Sequence, residues 1–69
     1  MEVLTYCKRY NIERRVLEVK VFSNDRLFFQ IECLDNSSYG TEEEIQNWLD
    51  ANGYLEEEFE FEEIEYINL

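Results

Sequence analysis

Near its C-terminal end the chain sets carboxylates at alternating positions, Glu56, Glu58, Glu60 and Glu62, followed by Glu63 and Glu65. Successive residues of a strand point to opposite faces, so with Phe59 and Phe61 turned toward a core, Glu56 to Glu62 line the other face about 6.8 Å apart. The chemistry of such a row is fixed, evenly spaced negative charge. It is a poor proton-transfer device, because a carboxylate works as an acid near neutral pH only when burial lifts its pKa, and these glutamates sit in runs that read as exposed. A nucleic-acid backbone also presents a line of single charges, with an axial rise of about 3.4 Å per strand. A protein groove that tracks phosphates would accept this strand.

Two further groups extend the acidic surface. Glu42, Glu43 and Glu44 open a segment that reads as a helix, with Asp50 on its outward side, and Glu32 and Asp35 lie near the end of a preceding strand. Each has a plainer explanation: acids in a first helical turn suit the helix macrodipole, and a charged strand face is commonly just solvated. The plainer explanation is weakened by the absence of counter-charge. All six basic residues lie between Lys8 and Arg26, and residues 27–69 hold thirteen acids with no Lys, Arg or His, so the chain carries a net charge of −11. Neighbouring like charges are destabilising, and natural solvated faces usually mix both signs. The excess points to a basic partner, and self-repulsion predicts that moderate salt stabilises the fold.

Other chemistries find little support. Without histidine there is no base that titrates near pH 7, and no nucleophile elbow, glycine-rich phosphate loop or calcium-loop pattern occurs. Cys7 and Cys33 are too few for a closed zinc site and lack the C-x-x-C spacing, so they read as two reduced, partly buried thiols. The chain is expected to be no enzyme and to need no cofactor or metal. The basic group Lys8, Arg9, Arg14 and Arg15 is a weak nucleic-acid footprint beside so acidic a half, and pairing with the last strand is its expected role.

At 69 residues, with 45% hydrophobic and 16% aromatic content, the chain has material for one small core and is read as a single domain over 1–69. No apolar run approaches the roughly 18 residues of a membrane span, and the first residues lack the basic and apolar regions of a leader, so a cytoplasmic location is expected.

The elements that must hold these charges follow from periodicity. Leu17, Val19 and Val21 alternate with Glu18 and Lys20, and Leu27, Phe29, Ile31 and Cys33 alternate with Phe28, Gln30 and Glu32, which predicts a hairpin. A three-residue loop, Ser23, Asn24 and Asp25, would pair Val21 with Leu27 and Val19 with Phe29, keeping the apolar residues together. A two-residue turn would set Val21 against Phe28 and mix the faces. In the first ten residues Val3, Thr5 and Cys7 alternate as a strand, while Val3, Tyr6, Cys7 and Tyr10 also fit a helical stripe; the sheet propensity of Thr, Tyr and Val favours the strand. Thr41 and Glu44 fit a capping box for a helix over residues 42–52, with Ile45, Trp48 and Leu49 inward and Asn52-Gly53 as its stop. In residues 55–69, Phe59 and Phe61 change parity to Ile64 and Tyr66, which predicts a bulge at Glu62-Glu63 that keeps all four inward. The expected order is β-β-β-α-β: an α+β fold, a small antiparallel sheet of about four strands with one short helix packed on one face. Phe22, Phe28 and Leu34 are left as exposed apolar residues, and Tyr39 and Tyr54 flank the helix as candidate interface anchors.

In size, net charge, β-rich α+β pattern and glutamate row, the chain resembles the small acidic inhibitors of phages and mobile elements, the DNA mimics that include anti-CRISPR, anti-restriction and uracil-DNA glycosylase inhibitor proteins. The resemblance is one of type, since those families share no motif from which residue roles transfer. It implies a stoichiometric inhibitor that fills the groove of a basic nucleic-acid-binding protein, a CRISPR effector or a DNA-processing enzyme. Such a protein binds no nucleic acid or membrane itself and acts as a monomer or dimer in the host bacterial cell. The partner-binding residues would be Glu56, Glu58, Glu60, Glu62, Glu63, Glu65, Glu42, Glu43 and Asp50. The competing expectation is an acidic interaction subunit, or an antitoxin-like or immunity-like protein, that binds a basic protein without imitating nucleic acid.

Overall fold

A computed structural model describes residues 2–34, 40–55 and 58–66. Its elements are β1 (Glu2–Asn11), β2 (Val16–Ser23), β3 (Arg26–Leu34), α1 (Thr41–Ala51) and β4 (Phe59–Glu63). They make a small α+β fold, a sheet in the order β3-β2-β1-β4 with α1 packed on one face. β1, β2 and β3 form an antiparallel meander, whereas β4 runs parallel to β1, so the sheet is mixed. The crossover explains this. β3 runs in the direction of β1, and α1 carries the chain back across the sheet, so β4 sets out from the same end as both.

Residues 2–11 adopt the strand alternative, with Leu4 and Tyr6 facing α1 and Cys7 facing away. The β2–β3 connection differs from the expected loop. Ser23 pairs with Arg26 across a two-residue turn, with Asn24 and Asp25 both left-handed at φ of 52° and 64°. Such turns match the natural twist of a hairpin. The mixing of faces is avoided by a bulge: Phe22 pairs with Leu27 and Val21 with Phe29, so Phe28 is the extra residue. Phe28 and Phe29 therefore both reach the α1 side, and Leu27 passes to the other face. Phe22, expected to be exposed, is buried, and Phe28 is packed against the core, while Leu34 remains 70% exposed.

The helix begins one residue earlier than expected. Gly40 occupies the N-cap with no side-chain cap, Thr41 is the first helical residue, and the Glu44 N–H donates to the Gly40 carbonyl at 3.1 Å. The capping box is thus not formed, and the acids of the first turn act through the macrodipole alone. The stop is as expected. Gly53 is left-handed at φ 92°, its N–H donates to Asp50 O at 3.3 Å, and the Tyr54 N–H donates to Leu49 O at 3.0 Å, the paired bonds of a Schellman motif.

Leu4, Tyr6, Val19, Val21, Phe29, Cys33, Ile45 and Leu49 form the core between sheet and helix. An aromatic layer extends it toward β4. Trp48 stacks on Phe29 at 3.7 Å, Phe28 meets Trp48 and Tyr54 edge-on at 5.8 Å, and Tyr54 meets Phe59 at 6.3 Å. Tyr54 is thereby a packing residue. Cys7 and Cys33 are buried free thiols on opposite faces of the sheet.

Candidate functional site

β4 is an edge strand, and its register is set by β1: Glu2 pairs with Phe59, Leu4 with Phe61 and Tyr6 with Glu63. Paired residues of parallel strands point the same way, so Phe59 and Phe61 join the core face with Leu4 and Tyr6. Glu58, Glu60 and Glu62 fall on the face away from α1, and all three are exposed. That is the expected row over the described residues, at about 6.6 Å per two positions. Glu56, Asp35 and Tyr39 lie outside the described residues.

The ladder continues without a shift through Glu63, so the expected bulge at Glu62-Glu63 is absent. The physical reason is the neighbour on β1. In the unshifted register Glu63 falls on the core side next to Lys8, and Lys8 Nζ lies 3.0 Å from Glu63 Oε1. Both side chains are half-exposed, and such a pair contributes about 0–1 kcal/mol. Ile64 and Tyr66 consequently leave the core face, contrary to the sequence expectation.

The structure brings the helix start to this edge. The Tyr6 hydroxyl donates to Glu42 Oε2 at 2.8 Å, and burial, together with the hydrogen bond and charge of Glu42 and the charge of Glu63, pushes the Tyr6 phenol up to about 12. Glu42 and Glu63, far apart in sequence, thus meet around Tyr6 and Lys8 on the α1 side of the edge, across the sheet from the row Glu58, Glu60 and Glu62. Glu43 and Glu65 are exposed beside these positions in the chain. Asp50 is not part of the cluster. It lies about 12 Å further along the helix axis and accepts a 2.9 Å hydrogen bond from Gln46.

On the face away from α1 the centre of the sheet carries mixed charge. Glu18 on β2 stands between Arg9 on β1 and Glu32 on β3, and Arg14 pairs with Glu32. The loop that delivers Arg14 is fixed by Asn11, whose side-chain oxygen accepts from the Arg14 N–H at 3.1 Å and whose carbonyl accepts from the Arg15 N–H at 2.7 Å. Arg9, expected to pair with the last strand's carboxylates, instead lies 5.2 Å from the ring centre of Tyr66. Hydrogen bonds from Arg9 and Lys20 hold the Tyr66 phenol below its usual pKa. Sequence reasoning missed the roles of Tyr6 and Tyr66 because the strand alternation was read on Val3, Thr5 and Cys7, whereas Leu4 and Tyr6 are the residues of β1 that face the core, and because the inferred bulge sent Tyr66 to the wrong face.

Among the described residues no group of three or more His, Cys, Asp or Glu side chains is placed to hold a metal ion, and no helix is long and apolar enough to cross a membrane. Comparison of the chain with protein-family models, with curated proteins and with solved structures finds no match.

Proposed function

We propose that this protein is a stoichiometric inhibitor, an acidic DNA mimic of the anti-CRISPR type, that occupies the basic groove of a nucleic-acid-binding protein and keeps its substrate out. The observation that supports this reading is the exposed row Glu58, Glu60 and Glu62 on one face of an edge strand, with Glu42 and Glu63 meeting around Tyr6 on the opposite, α1 side of that edge. A groove that binds nucleic acid is lined with Lys and Arg whose counterions are released by DNA or by a mimic alike. Steered encounter between so acidic a chain and such a groove can approach about 10⁸–10⁹ M⁻¹s⁻¹ at low salt. An inhibitor of this kind needs no catalytic group, and a CRISPR effector complex is the preferred target.

The test is a pull-down of bacterial lysate on the immobilised protein at about 0.1 M salt, with and without excess duplex DNA. The reading expects a basic nucleic-acid-binding protein that DNA displaces. A partner that stays bound in the presence of DNA overturns the mimic and favours an acidic interaction subunit.

A further inference from the structure

β4 is one edge of the sheet and β3 is the other, and the sequence treats them in opposite ways. An edge strand exposes unpaired backbone N–H and C=O groups, and charged side chains are a common means of keeping a second strand off them. β4 carries Glu60, Glu62 and Glu63 among its five residues. β3, with nine residues, has no lysine or proline, and its charges are Arg26 and Glu32, the latter already paired with Arg14. The same strand leaves Leu27 46% and Leu34 70% exposed. The bulge at Phe28 disturbs only its beginning, since from Phe29 to Leu34 the ladder with β2 is regular. Among the described residues no strand pairs with the outer side of β3.

That edge is complementary to itself. In an antiparallel pairing about a two-fold axis at Ile31, Ile31 meets the partner's Ile31, Phe29 meets the partner's Cys33 and Gln30 meets the partner's Glu32. Alternation is preserved, with Phe29, Ile31 and Cys33 on the α1 side in both copies and Gln30 and Glu32 on the other. No like charges meet, and each Gln30 amide faces a carboxylate that accepts its hydrogen. Leu34 comes to lie by the partner's bulge, near the partner's Leu27. The neighbouring in-phase registers are poorer: an axis at Glu32 sets that carboxylate against its own copy, and an axis at Gln30 sets Glu32 against the partner's Phe28 and mixes the faces.

We propose that β3 pairs with β3 of a second copy of this chain, giving a two-fold dimer whose two four-stranded sheets run on as one, with a β4 strand and its glutamates at each outer edge. The proposal goes beyond the inhibitor reading and does not depend on it; where that reading holds, the dimer offers a glutamate row to a basic partner at both ends. A strand pair of this length buries less than the roughly 1,200 Å² of a stable interface, so the dimer is weak and reversible. The net charge of −11 on each copy opposes it, and added salt screens that repulsion.

Sedimentation equilibrium of the purified chain between about 10 µM and 1 mM tests this. In about 0.5 M salt the mass should climb from the 8.5 kDa of one chain toward twice that value, and the dimer should loosen as the salt is lowered to about 0.05 M. Gln30→Glu places like charges opposite each other twice in the dimer, and is expected to weaken it about tenfold or more. Within the monomer position 30 is exposed and lies opposite Lys20, so this variant keeps its fold, checked by an unchanged circular dichroism spectrum. Gln30→Lys, which sets a cation against the partner's Glu32, should dimerise at least as well as the wild type. A mass of one chain throughout the concentration range overturns the dimer. Self-association that added salt dissolves, or that Gln30→Glu leaves unchanged, overturns pairing through β3. None of these measurements uses DNA or a basic partner, so failure of the inhibitor reading is seen separately.

Discussion

The Tyr6 hydroxyl donates a 2.8 Å hydrogen bond to the Glu42 carboxylate, and this contact ties an inner strand of the sheet to the first turn of the helix. It also fixes where the helix start meets the end of β4, because Glu63 lies close enough to act on the same phenol.

That phenol makes the fold sensitive to alkali. Its pKa is about 12 in the folded chain against 10.0 when unperturbed, so the protonated form is favoured by folding. The stability it contributes is complete below pH 10 and is lost as the pH rises toward 12, because the unfolded chain ionises first. Urea unfolding at pH 8, 10 and 11.5 should show the wild type losing stability more steeply than Tyr6→Phe. Parallel slopes in the two proteins would remove Tyr6 from this role.

Reversing the edge charge tests the site. Glu58→Lys with Glu60→Lys should abolish capture of the basic partner while leaving the circular dichroism spectrum and melting temperature close to wild type, since both side chains are exposed. Capture at wild-type affinity would move the site from β4 to the helix start.

Core aromatics should rank by burial. Phe29→Ala removes a buried ring and the stacking partner of Trp48, and is expected to cost about 3–5 kcal/mol in denaturant unfolding. Phe59 is only partly buried and, among the described residues, meets the one ring of Tyr54, so Phe59→Ala should cost distinctly less. An equal loss at both positions would contradict the packing described.

The hairpin turn offers a stabilising change. Asp25 holds φ at 64°, a conformation glycine adopts freely, and Asn-Gly is the preferred pair for such a turn. Asp25→Gly should raise stability by about 0.5–1 kcal/mol, read from the shift in the urea midpoint. A loss of stability would argue for a different turn.

The elements themselves were legible in the sequence because their signals are local. The alternation of Leu17, Val19 and Val21, the helical spacing of Ile45, Trp48 and Leu49, and the Asn52-Gly53 stop each report on one segment. Misreadings arose where one segment depends on another. The two-residue turn at Asn24-Asp25 was disfavoured because its mixing of faces is resolved only by a bulge at Phe28, whose ring has a place among Trp48 and Tyr54 that no single segment reveals. The parity change between Phe61 and Ile64 has two solutions, a bulge or a change of face. Pairing with β1 selects the second by setting Glu63 beside Lys8 and Tyr66 over Arg9. The glutamate row was readable from alternation alone, whereas the meeting of Glu42 with Glu63 required the tertiary fold.

The parallel seam between β1 and β4 carries a consequence for the order of folding. The three-stranded meander closes through short turns, whereas β4 must come from far along the chain, with Phe61 opposite Leu4. Up to residue 34 the chain holds six basic and five acidic groups and is close to neutral. During synthesis the meander can therefore assemble before most of the negative charge exists. Mutual repulsion among the later carboxylates is imposed on a platform already in place, and the stretch of sequence from 56 to 65, which carries seven of those twelve acids, is made last, with Glu63 coming to lie beside Lys8.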